Sequence, residues 1–86
     1  MSDLIVIDYT NYAGKRKTYV IQPQGEEYMG STLHHPEHQL LLDGLDIKRQ
    51  VYRTFAVKDI HSRRPYTPDD RPLLVDTDDR RADVAG

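Results

Sequence analysis

Gly30-Ser31-Thr32-Leu33-His34-His35-Pro36-Glu37-His38-Gln39-Leu40-Leu41-Leu42-Asp43-Gly44-Leu45-Asp46-Ile47 is the stretch on which the fold turns. It begins as a polar loop holding three of the chain's four histidines and runs into a leucine triplet. An apolar run this short suits a strand or a helix, and periodicity alone does not separate the two. Pro36 and Gly44 flank it, and both disfavour helix. Strand signals lie on either side, so His38 to Ile47 is expected as a strand. Pro36 also biases His35 towards an extended backbone.

Upstream, Leu4 to Thr10 is rich in β-branched and aromatic residues, with Ile5, Ile7 and Tyr9 on one face and Val6 on the other. Asn11-Tyr12-Ala13-Gly14-Lys15 supplies the Asn and Gly of a hairpin turn. Arg16 to Gln22 forms the returning strand, with Tyr19 and Ile21 opposed to Thr18, Val20 and Gln22. Pro23 removes a ladder donor and ends it. Glu26 to Met29 has weak strand character. Downstream, Val51, Arg53, Phe55 and Val57 alternate with Tyr52, Thr54 and Ala56. Lys58-Asp59-Ile60 closes the unit as a single helical turn.

The 86 residues suffice for one domain of modest core. Hydrophobic content of 37% is low enough that part of the chain is expected to stay unpacked. Residues 61–86 fit that part: three prolines, two Asp-Asp pairs and two Arg-Arg pairs occur there without a sustained period. The expected organisation is a β-domain over residues 1–60 and an extended or disordered tail over 61–86. Within the tail, Leu73-Leu74-Val75 has the character of a strand that adds to a sheet edge. The ordered part is all-β, with four to five short antiparallel strands. So many strands in about 60 residues should curl into a small barrel, because closure removes exposed edges.

The absence of cysteine excludes a disulfide framework and a thiolate nucleophile. Neither a signal-peptide pattern nor an apolar run of membrane-spanning length is present, so a cytoplasmic protein is expected. A net charge of −2 does not fit bulk coating of nucleic acid.

Four resemblances converge on one family. Ile7-Asp8-Tyr9-Thr10-Asn11-Tyr12-Ala13-Gly14 resembles the opening strand and glycine turn of WYL domains. Ile21-Gln22-Pro23 is similar to their second strand, and Leu40-Leu41-Leu42 falls where their Trp-Tyr-Leu triplet belongs. Arg53 to Ile60 resembles their closing Arg-x-Phe-x-Leu-x-x-Ile element. His35-Pro36-Glu37 and Gln39 resemble a short stand-alone subgroup. The likeness spans Leu4 to Ile60. It implies a small Sm/SH3-like β-barrel that senses or captures a ligand. Larger members place this barrel beside a helix-turn-helix, bind nucleic acid or nucleotide-type ligands, and often regulate bacterial or phage defence. Here the helix-turn-helix is absent. Leu40 and Leu41 replace the aromatic pair, and Tyr19 stands where the family carries an arginine. Arg53 matches the family's basic residue.

The candidate ligand-binding residues are Arg53, His35, Glu37, Gln39, Thr32, Lys17 and Tyr12. An arginine on an apolar strand face must find an anion or reach water. Its fork suits phosphate and carboxylate alike, so an internal ion pair to Asp43 or Asp46 is the competing reading. The histidine loop lacks the ligand set of a zinc site, and no metal or cofactor is expected. Ser31, His35 and Glu37 lack the context of a catalytic triad, so no enzyme is expected. The expected function is capture or sensing of a nucleotide-type small molecule by a homo-oligomeric barrel. Two alternatives remain open. One is a protein partner docked through the tail. The other is single-stranded nucleic acid, which the net acidity disfavours.

Overall fold

The computed structural model describes residues 3–33 and 36–75. Six antiparallel strands form one curled sheet: β1 (Ile5–Thr10), β2 (Arg16–Pro23), β3 (Tyr28–Gly30), β4 (Gln39–Asp46), β5 (Val51–Ala56) and β6 (Ile60–Pro65). The decisive apolar run is a strand. Going around the half-barrel, β6 pairs with β1, β1 with β2, β2 with β4, and β4 with β5. β3 and β2 share one edge of β4: β3 pairs with Gln39, Leu40 and Leu41, and β2 with Gly44, Leu45 and Asp46. A 3₁₀ turn, Val57–Asp59, links β5 to β6. The result is a curled antiparallel half-barrel.

Period-two alternation decides which side chains enter the core. Ile7 and Tyr9 of β1, Tyr19 and Ile21 of β2, Leu42 of β4 and Phe55 of β5 form the buried cluster, with Ile5, Val57 and Ile60 packed against it. Position 44 favours glycine because it packs against Ile21: a Cβ there would come within 2.9 Å of the Ile21 Cδ1. Two leucines of the triplet, Leu41 and Leu42, are buried, while Leu40 is 39% exposed. It pairs with Met29 of the three-residue β3, which is itself exposed.

The β1–β2 turn is tied by Asn11. Its Oδ1 accepts from the amides of Ala13 (2.9 Å) and Lys15 (3.0 Å), and Gly14 adopts φ 81°. On the other side of β1, pairing with β6 slips between Asp8 and Tyr9, so that Asp8 faces Ser62 and Tyr9 faces Ile60. Such a bulge adds local bend and twist, which helps an open sheet curl.

The first tail residues are extended, and their extension is a sixth strand. β6 pairs with β1 along its length, although its side chains from His61 to Pro65 are exposed. A strand exposed on both faces carries no hydrophobic alternation, so its sequence gives no strand signal. Leu73 and Leu74 belong to a 3₁₀ helix, Pro68–Leu74, rather than to an added strand. Thr67 and Asp70 form a reciprocal capping box at its start. Arg64 of β6 donates from both Nη atoms to Asp70 at 2.7 Å. The helix packs against β2, on a sheet whose second face buries Val6 and Val20. Residues 76–86 lie outside the described part.

The Arg64 fork and the Thr67 amide hold the Asp70 carboxyl down to about 2, from an ordinary 3.8. A group depressed in the folded state stabilises it fully above its unfolded value, and the contribution fades as pH falls towards the folded one. Docking of the 3₁₀ helix is therefore expected to weaken between pH 4 and pH 2. An acid titration followed by near-ultraviolet circular dichroism checks this. Asp70→Asn should flatten the transition in that window, and an unchanged titration would count against the latch.

Candidate functional site

A cleft of about 440 Å³ opens where the β1–β2 turn meets β5. The turn contributes Asn11 and Tyr12. Thr32 and Leu33 come from the segment after β3, and Tyr52, Arg53 and Thr54 from β5. Its floor is aromatic. Tyr9, Tyr19 and Phe55 meet edge to face, with ring centroids 4.9 Å apart for Tyr9–Phe55, 5.4 Å for Tyr19–Phe55 and 6.0 Å for Tyr9–Tyr19. The Tyr9 hydroxyl accepts from the Ala56 amide at 2.9 Å. Burial is the main reason that this phenol titrates above its ordinary value.

The charged part of the site is a three-residue cluster. Asp46 is fully buried at the end of β4. Its Oδ2 accepts from the Arg53 Nε at 2.9 Å and from the Arg49 Nη1 at 3.3 Å. Its Oδ1 accepts from the Arg49 amide at 3.2 Å, which fastens the β4–β5 turn. Both guanidinium carbons stand close to the Tyr19 ring, 5.9 Å from its centroid for Arg49 and 5.8 Å for Arg53. That is the range in which a cation is drawn to an aromatic face. The internal ion pair therefore exists, and its partner is Asp46. It engages one edge of Arg53 only. Asp43 serves elsewhere: its Oδ1 accepts from the hydroxyls of Tyr28 and Thr54, both at 2.8 Å.

Of the sequence-derived candidates, the structure brings Arg53, Thr32 and Tyr12 to one cleft. Glu37, Gln39 and Lys17 do not line it. Lys17 is an exposed residue of β2, and Glu37 is exposed ahead of β4. The Gln39 Nε2 donates to the Glu37 carbonyl at 3.2 Å, and its Oε1 is buried without a partner among the described residues. His35 and His34 lie outside the described residues. Among those described, no group of three or more potential ligands is placed to hold a metal ion. No described helix is long and apolar enough to cross a membrane.

Asn11 and Arg49 were the parts of the site that sequence reasoning missed. Asp46 and Arg49 carry a faint signal in their spacing of three across a turn, where an Asp side chain commonly bonds a backbone amide.

Two other recesses are less suited to an uncharged ring. One, of about 430 Å³, lies at the opposite end of the β1–β2 hairpin, and is lined by Glu26, Glu27 and Arg63 among others. There Arg63 is already paired with Glu27 at 2.9 Å. The second, of about 300 Å³, adjoins the tyrosine cleft and includes the Asp43 carboxylate. Compared with known proteins, the chain matches no family model, no curated protein and no solved structure.

Proposed function

We propose that this chain is a non-enzymatic binding module that captures a compact nucleotide-type ligand in the tyrosine–arginine cleft. The observation that carries the reading is the pairing of two accessible phenol rings with a guanidinium at one opening. Tyr12 is 65% exposed and Tyr52 is 72% exposed, and both line the cleft with Arg53. Exposed aromatic rings are platforms for bases, and a neighbouring arginine supplies the anion contact. Asn11, Thr32 and Thr54 add groups able to bond a base edge or a sugar. The lining otherwise consists of phenols, an amide, hydroxyls and apolar carbon, which suits recognition better than proton transfer. The resemblance to ligand-capturing WYL barrels rests on the same strands. It adds a role as sensor or sequestering protein in bacterial or phage defence to the proposal.

Isothermal titration of the full chain with nucleosides and 5′-mononucleotides of the four bases tests the reading. At least one should give saturable heat. Tyr52→Ala should weaken that ligand about 5- to 150-fold, the range of one base–aromatic stack of about 1–3 kcal/mol. The exposed ring can be removed with little effect on the fold. Absence of heat from every base-bearing compound would rule the reading out.

A further inference from the structure

We infer that the ligand carries one phosphate group, gripped by the Nη edge of Arg53, and that Asp46 is the residue that positions this edge. The inference rests on the nucleotide reading and narrows it to a ligand class.

Geometry supplies the first argument. The Arg53 Nε is committed to Asp46 at 2.9 Å, and its guanidinium lies 5.8 Å from the Tyr19 centroid. Two anchors on a planar group leave it little freedom to rotate. The Nη pair has no partner among the described residues, and 37% of the side chain remains accessible. Two parallel N–H donors on a fixed plane match two oxygens of one phosphate, and a pre-oriented fork loses less entropy on binding than a mobile lysine.

Charge supplies the second. Arg49 and Arg53 share a single carboxylate, so the cluster keeps a surplus of one positive charge. Among the described residues lining the cleft, Arg53 is the one that is charged at neutral pH. One surplus cation balances one phosphodiester, or roughly half the charge of one phosphomonoester, which carries about −1.5 to −2 at pH 7. A triphosphate would bring further charges for which this lining offers no counterpart, and removing them from water is costly. Size agrees: about 440 Å³ lies near the lower end of the range for small-molecule sites, roughly 300–1,000 Å³. One base with one phosphate could be a free mononucleotide or a single unit of a strand.

The experiment compares, for whichever base binds, the nucleoside, its 5′-monophosphate, its 5′-triphosphate and a four-residue homo-oligonucleotide, by titration calorimetry at two salt concentrations. The monophosphate is expected to bind at least 10-fold more tightly than the nucleoside, and the triphosphate to gain less than threefold over the monophosphate. In Arg53→Lys, which keeps the charge and loses the fork, the ratio of monophosphate to nucleoside affinity should collapse towards one. Circular dichroism confirms that this variant is folded. A tetranucleotide that gains affinity and loses it steeply with salt would identify a strand as the source. An oligonucleotide no better than the monophosphate would identify a free nucleotide. Both results keep the single-phosphate contact. A triphosphate more than 10-fold tighter than the monophosphate, or a monophosphate no tighter than the nucleoside, overturns the inference while the cleft remains a base-binding site. Failure of every base-bearing compound instead removes the reading beneath it.

Discussion

Phe55→Ala is expected to destabilise the protein by about 3–5 kcal/mol, the usual cost of removing a large aromatic side chain from a packed core. Phe55 is 1% exposed and is the largest fully buried side chain. It faces Leu42 across the β4–β5 ladder and touches two tyrosine rings edge to face. Each such ring pair contributes about 0.5–1.5 kcal/mol beyond the area it buries. The hole would be hard to fill, because Tyr9 is tethered through its hydroxyl to the Ala56 amide and Tyr19 sits under two guanidinium groups. A domain of this size is stable by about 5–15 kcal/mol in total, so the variant should sit near the edge of folding. Urea denaturation followed by far-ultraviolet circular dichroism measures the loss. Tyr52→Ala is the control, because its ring is 72% exposed and its removal should cost no more than about 0.5 kcal/mol. If the two variants melt together, the three-ring cluster is not the centre of the core.

Phe55 also shows why the fold was legible and the site only partly so. The alternation Val51 to Val57 places Phe55 inward without reference to any other strand, because a period of two is a property of the local chain. Pro23 and the Asn11–Gly14 turn mark strand ends for equally local reasons. β6 is the opposite case. His61 to Pro65 are exposed, and the strand exists because β1 offers an unpaired edge. The 3₁₀ helix depends on Arg64 meeting Asp70 across the Pro65–Thr67 bend, a relation that no periodic pattern announces. The site divides along the same line. Arg53 was legible because a charge on an apolar face demands an anion. That Tyr12 shares its cleft, whereas Glu37 and Gln39 do not, follows from how the sheet curls. Curl brings the first hairpin turn to β5 and leaves the start of β4 elsewhere. Residues 40 or more positions apart then become neighbours, and no short-range rule encodes that.

Asp46→Ala is expected to cost about 2–4 kcal/mol, which is below the roughly 3–5 kcal/mol typical of breaking a buried ion pair because both arginines can turn towards water. Asp46 is fully buried, while the Arg49 and Arg53 side chains are each 37% exposed. Losing the carboxylate strands Arg53 against the Tyr19 ring and removes the acceptor for the Arg49 amide that closes the turn. Thermal melts of Asp46→Ala, Arg53→Ala and the double variant should show coupling of about 1–3 kcal/mol, since residues in direct contact are not additive. Additivity within about 0.5 kcal/mol would mean that the pair contributes nothing specific. Replacing the whole cluster separates stability from function. With Asp46→Leu, Arg49→Met and Arg53→Met together, no charge is left in this cluster, and apolar substitutes of similar volume often match or exceed an ion-pair network in stability. The triple variant should regain at least half of the loss caused by Asp46→Ala. Its affinity for a 5′-mononucleotide should nevertheless fall to that of the nucleoside. If apolar residues fill this site as well, two arginines on one carboxylate accord better with the proposed anion contact at Arg53 than with a stabilising role.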